Sequence, residues 1–195
     1  MSFLGLRVPH ETARLLSELD IPGRKDSTDH FHITILHLGD NVPIETIAKA
    51  LVATFKVSDQ TQPFTVSTSR VSCFAPKVSK TSSKNGQCPI ICRVDSDELH
   101  AMRVKLCASY DEAGVAYDKK FPEYKPHVTL GWADAEIEER RIPTVEWGAH
   151  ELVLWGGDSG DRRVILTFPM SLKITASRRV VARYVGKSLL RDSPP

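Results

Sequence analysis

Two stretches of this chain share one pattern, and that pattern limits the fold more than any other feature. Lys125-Pro-His-Val-Thr-Leu-Gly-Trp132 contains an apolar, β-branched run that stops at a glycine, which is the composition of a strand. Phe31-His-Ile-Thr-Ile-Leu-His-Leu-Gly39 says the same thing 95 residues earlier. Side chains alternate along a strand, so His127 and Thr129 share one face and Val128 and Leu130 the other. His32 and Thr34 likewise share a face, with Ile33 and Ile35 behind. On this alternation His37 falls on the apolar side and is structural, Trp132 falls with the core, and His30 joins the face of His32 at the cleft or its rim. A third His-x-Thr, His10-Glu-Thr12, follows a proline, lacks apolar flanks and reads as the start of a helix.

Two such strands side by side would bring two imidazoles and two hydroxyls to one cleft. Imidazoles titrate near neutrality, so one can take a proton and the other give one within a single turnover. Hydroxyls can hydrogen-bond the non-bridging oxygens of a phosphate. The constellation needs no metal and no cofactor, and phosphodiester cleavage is the reaction that fits it best.

These residues, His32, Thr34, His127 and Thr129, with Pro126 ahead of the second motif, resemble the two-histidine (2H) phosphoesterase superfamily of cyclic phosphodiesterases and 2′-5′ RNA ligase-like proteins. The resemblance covers roughly Ser2 to Lys173. It implies an α+β fold of two pseudo-symmetric β-sheet lobes, flanked by helices and facing each other across a central cleft. It implies action on 2′,3′-cyclic phosphates, 2′–5′ linkages or other small cyclic nucleotides, with catalysis by the two histidines and phosphate binding by the two threonines. Some phage members degrade the cyclic oligonucleotide messengers of bacterial immunity, which adds a host-cytoplasm setting to the expected range. RNA-end processing on longer RNA and a non-catalytic nucleotide-binding module are the alternatives.

Composition narrows the partners. At 195 residues, the chain suits one two-lobed domain with a sizeable core. No apolar run reaches membrane-spanning length, and Met1-Ser-Phe-Leu-Gly-Leu-Arg7 reads as a first strand rather than a signal peptide. Cys73, Cys88, Cys92 and Cys107 form no Cys-x-x-Cys pair and no zinc-ligand spacing, so reduced, partly buried thiols in a cytoplasmic protein are expected. The net charge of +2 is uneven: residues 1–172 carry −3 and residues 173–195 carry +5. A mildly acidic body argues against DNA or long nucleic acid spread over a broad surface and favours a small ligand in a cleft. The division follows: a phosphoesterase-like domain over 1–173 and a basic extension over 174–195. In the extension Arg179, Arg183, Lys187 and Arg191 recur every fourth residue, the spacing of an amphipathic helix that docks on the body or meets an acidic partner such as RNA.

Along the chain, alternation and periodicity predict strands over Phe3–Val8, Pro63–Phe74, Cys88–Val94, Val145–Trp155 and Arg162–Lys173, the last two as an antiparallel pair. They predict helices over Glu11–Asp20, from Pro43 with an inward stripe of Ile44, Ile47, Ala48, Leu51, Val52 and Phe55, and after a cap at Asp95 or Ser96 with Glu98 completing a capping box from Asp95. Asp134–Arg141 suits a short charged helix or turn. Lys77–Gly86 reads as a long hairpin tip whose Lys77, Lys80 and Lys84 suit a polyanionic ligand. Tyr124 and Lys125, just before the second motif, are further candidate substrate contacts. Arg24 and Lys25 read as solvated.

Overall fold

A computed structural model describes residues 1–76, 86–120, 123–157 and 163–171 of the chain. The Lys77, Lys80 and Lys84 cluster and the basic extension over 174–195 lie outside the described residues. Within them the order is β1 (Ser2–Arg7), α1 (His10–Ser17), β2 (Arg24–Lys25), a short 3-10 turn (Thr28–His30), β3 (His32–Gly39), α2 (Ile44–Ser58), β4 (Phe64–Cys73), β5 (Cys88–Asp95), α3 (Asp97–Glu112), β6 (His127–Ala133), β7 (Arg140–Ala149), β8 (Glu151–Gly156) and β9 (Arg163–Pro169).

All nine strands join one antiparallel sheet in the order β7-β4-β5-β6-β3-β1-β8-β9, with β2 on β6. The two lobes are halves of this sheet. In each, the motif strand pairs with a partner reached through one helix, β1-α1-β3 in one half and β5-α3-β6 in the other, and two more strands lie outside. The halves meet where Ile33 pairs with Val128, both fully buried. The main core lies on the face of these two residues and gathers Leu4, Leu6, Leu36 and Cys92 of the sheet with Leu99, Met102, Leu106 and Tyr110 of α3 in one buried cluster. A smaller cluster of Phe3, Val153 and Trp155 forms separately from it.

The segment expected as one strand over Val145–Trp155 divides at His150. Ala149 of β7 pairs with Phe64 of β4, whereas Glu151 of β8 pairs with Pro169 of β9. Two residues span at most about 7 Å of extended chain, so the end of edge strand β7 lies beside the start of β8, next to the opposite edge. The strand changes partner without changing direction, which is why its apolar pattern reads as continuous. β7 also begins earlier than expected, at Arg140, and tolerates Pro143 because that residue falls at the register shift between the Val145–Thr68 and Arg141–Arg70 pairs of an edge strand. Asp134–Glu139 forms a bend and open chain rather than a helix, tied to β4 through Cys73 Sγ, which accepts from Ile137 N–H at 3.2 Å.

Two helix details differ from the pattern. Ser96, not Asp95, caps α3: its hydroxyl oxygen accepts from Leu99 N–H at 3.2 Å and lies 3.1 Å from Glu98 Oε2. On α2 the buried stripe is Ile47, Ala50, Ala53, Thr54 and Val57, while Ile44, Val52 and Phe55 stand 74%, 71% and 62% exposed. The helix is turned by about one residue because its small side chains admit α3. Thr54 Oγ1 meets the Tyr110 hydroxyl at 2.8 Å, and Ser109 Oγ donates to the Ala53 carbonyl at 3.2 Å. These contacts pair the buried hydroxyls of Thr54, Tyr110 and Ser109, which would otherwise be desolvated without a partner.

The two motif glycines serve different needs. Gly39 ends β3 with φ +101°, a conformation that other residues enter at a cost. Gly131 lies inside β6, and a Cβ there would sit 2.3 Å from the Arg24 carbonyl oxygen, because β2 runs directly alongside. Gly131→Ala should therefore destabilise the fold by about 1–3 kcal/mol, read from the urea midpoint. An unchanged midpoint would mean that β2 is not held against β6.

Candidate active site

Each motif strand carries a bulge at the residue after its threonine. On β3, Leu36 pairs with Leu4 and Thr34 with Gly5, so Ile35 is the extra residue. On β6, Gly131 pairs with Ile90 and Thr129 with Ile91, so Leu130 is extra. A bulge inverts the alternation beyond it. His37 and Trp132, each five residues after a motif histidine, therefore move to the polar face instead of the apolar one. His37 pairs across the strand with Phe3 and stacks on its ring at 6.2 Å. Trp132 is half-buried and donates Nε1–H to Asp26 Oδ2 at 3.1 Å.

The Ile33–Val128 pair sets the register between the motifs. In an antiparallel pair it aligns His32 with Thr129 and Thr34 with His127. All four side chains are half-buried on the face opposite the main core. Beyond this junction the strands diverge, and each is completed by the segment that leads into the other. Asp26 N–H donates to the Leu130 carbonyl at 2.8 Å, while Asp118 N–H donates to the His37 carbonyl at 2.7 Å and the Tyr124 hydroxyl to the Thr34 carbonyl at 3.1 Å.

The two imidazoles are held alike. His32 Nδ1 lies 2.5 Å from the His30 carbonyl oxygen, and His127 Nδ1 lies 2.7 Å from the Lys125 carbonyl oxygen. A carbonyl only accepts, so Nδ1 carries the proton in both rings and proton exchange falls to Nε2. His30 and Lys125 thus serve the histidines through their main chains. The Lys125 ammonium pairs with Glu123 at 3.0 Å, and the His30 ring lines a pocket beside His32. Tyr124 acts from behind the strand. Its ring lies under the Arg103 guanidinium at 4.6 Å and against His100 at 5.2 Å, and burial pushes its phenol well above the usual range, so it remains a donor. Lys25 donates to the Ser17 carbonyl at 2.8 Å, a tether rather than a ligand contact.

The surroundings of the two histidines differ. Phe3 and Trp155, stacked at 4.9 Å, pack beside His32 at 4.8 and 5.6 Å. A pocket of about 400 Å³ opens there, lined by Arg7, His10, His30, Phe31 and Trp155. His127 instead meets the edge of Phe74 at 4.8 Å. Burial holds its imidazole below the ordinary value of 6.5, an effect that the Lys125 carbonyl opposes by favouring the charged ring. Sequence reasoning missed two residues here. Arg7 is the cross-strand partner of His32, and Arg93 that of His127. Each sits one strand away from a motif, where only the pairing register reveals it. Among the described residues no group of three or more His, Cys, Asp or Glu is placed to hold a metal ion. The four cysteines are free, and burial pushes the Cys92 thiol up to about 12.

This geometry accompanies a match over residues 28–161 to the family model of the 2′-5′ RNA ligase superfamily. The chain belongs to that superfamily. Its members are phosphoesterases and RNA ligases with the two-histidine motif, so a phosphoesterase type of activity and the α+β fold follow. TT0787 of Thermus thermophilus is similar in structure, with a TM-score of 0.70 at 16% identity over 87% of this chain and 97% of that one. E. coli LigT in its apo form gives 0.60 at 16% identity over 87% and 96%, and its complex with 3′-AMP gives 0.61 at 16% identity over 87% and 97%. The search of curated protein sequences gives no match. No described helix is long and apolar enough to cross a membrane.

The depressed His127 value has a consequence for stability. Above pH 6.5 the ring is neutral in both folded and unfolded chains, so its titration adds nothing. Below 6.5 the unfolded chain binds the proton more readily, and stability is lost as the pH falls. The stability of the parent relative to His127→Gln should therefore decline between pH 7 and pH 5 in urea unfolding. A constant difference would remove the burial effect from the account.

Proposed function

We propose that the chain is a phosphodiesterase that hydrolyses a small nucleotide phosphodiester by two-histidine acid–base catalysis, with no metal ion in the chemical step. One observation carries this reading. Two imidazoles are held in the same tautomer by main-chain carbonyls, and each is aligned with the threonine of the other motif. His127, which burial biases towards neutrality, takes a proton from the attacking water. His32 gives a proton to the departing ribose oxygen. The water oxygen forms the new bond to phosphorus as the bond to the ribose oxygen breaks, and solvent exchange later restores both rings. The hydroxyls of Thr34 and Thr129 donate to the non-bridging oxygens as charge shifts onto them.

The substrate class proposed is a 2′,3′-cyclic phosphate, a 2′–5′ linkage or a cyclic oligonucleotide, including the messengers that phage enzymes destroy. The complexes of E. coli LigT with 3′-AMP, ATP and NADP+ support a nucleotide as the ligand. A 2′,3′-cyclic phosphate at an RNA end presents the same group, so RNA-end processing uses the same chemistry. Ligation is the same displacement on the cyclic phosphate, with a ribose hydroxyl in place of water as the attacking group.

His32→Ala and His127→Ala should each lower kcat by about 10²–10⁴-fold, and EDTA should leave the parent unaffected. Thr34→Val and Thr129→Val keep the shape, remove the donor and should lower kcat with folding nearly intact. Full turnover by the double histidine variant, or loss of activity in EDTA, would contradict the mechanism.

A further inference from the structure

The pseudo-symmetry of the site breaks at one pair of residues. Arg7 and Arg93 occupy equivalent positions, each directly across the strand from a motif histidine and therefore on its face. Arg93 is paired: Glu139 Oε2 lies 3.2 Å from its Nε, which also donates to Ser72 Oγ at 3.3 Å. Glu139 takes Arg70 at 3.3 Å as well, so both guanidinium groups of that flank are tied to one shared carboxylate. Arg7 is exposed and has no carboxylate partner among the described residues. It faces the pocket of about 400 Å³ that opens beside His32, where His10 and His30 are also found.

The lining of this pocket is that of a nucleotide subsite. Phe31 and Trp155, largely buried, make its wall partly apolar, and a pocket of this size holds one nucleoside unit. Asp29 is the acid in the lining and suits a ribose hydroxyl. Arg7 adds an unpaired planar donor one strand from the acid–base centre, where a second phosphate of the same nucleotide would lie. The flank beside His127 offers Phe74 and an already paired arginine instead.

We infer that the His32 flank is a subsite for a nucleotide that carries a second phosphate, bound by Arg7, in addition to the phosphodiester being cleaved. The inference rests on the phosphodiesterase reading above for the position of that phosphodiester. It narrows the substrate from nucleoside cyclic phosphates to 5′-phosphorylated or oligonucleotide species, with the nucleotide on the His32 side and water entering beside His127.

The test compares adenosine 2′,3′-cyclic phosphate with and without a 5′-phosphate, and in parallel the equilibrium binding of 5′-AMP and adenosine by calorimetry. The 5′-phosphate should raise kcat/KM by about tenfold or more, and 5′-AMP should bind about tenfold or more tighter than adenosine, as expected for a charge-assisted contact. Arg7→Gln should bring both ratios close to one, while Arg93→Gln should leave both ratios in place. Equal binding of 5′-AMP and adenosine, or ratios that survive in Arg7→Gln, would overturn the subsite. If 5′-AMP binds in an Arg7-dependent way but neither cyclic phosphate is hydrolysed, the subsite stands and the phosphodiesterase reading falls.

Discussion

Ile33 and Val128 are fully buried and form the register pair that joins the two halves of the sheet. The rest of the site depends on that bridge. It orients one motif against the other, places each histidine opposite the other motif's threonine, and lets the strands part where a ligand needs room. The gap that parting would leave is closed reciprocally. Asp26 completes β6 at Leu130, and Tyr124 and Asp118 complete β3 at Thr34 and His37. Buried main-chain groups seldom remain unpaired, so these lead-in segments are held to the junction as firmly as the strands themselves. The site is thereby built from two interlocked arms and not from two loosely facing lobes.

The same carbonyl-to-Nδ1 contact recurs in both arms, yet the two rings meet different environments. His127 is desolvated and biased towards the neutral state, which suits a base. His32 lies between an aromatic pair and an open pocket, which suits the side that handles the organic group. Pseudo-symmetry supplies two like groups, and their neighbours make the surroundings unequal. An acid and a base are needed together, so that inequality has chemical use.

Most of the architecture was legible because strand alternation and helical periodicity are local signals. The four motif residues, the strand before each helix and the α+β class all follow from them. The misplacements share a cause in tertiary structure. The bulges at Ile35 and Leu130 invert the faces of His37 and Trp132, and nothing in the adjacent residues announces a bulge. The stripe of α2 is turned because Ala50, Ala53 and Thr54 fit α3, a preference that lies in the partner helix. The break at His150 is hidden because β7 and β8 run on in the same direction. Arg7 and Arg93 are visible only through pairing register, and His30 and Lys125 act through carbonyl oxygens, which every residue type possesses.

Two main-chain carbonyls hold both motif histidines in one tautomer, leaving Nε2 to exchange protons in the proposed reaction. Nitrogen-15 NMR of ring-labelled histidine, assigned through His32→Gln and His127→Gln, reads this directly. Above their titration range both His32 and His127 should show protonated Nδ1 and unprotonated Nε2 shifts, with His127 titrating below 6.5. Nε2–H shifts in either ring would contradict the account, because the nitrogen assigned to proton transfer would then already carry a proton in the neutral state.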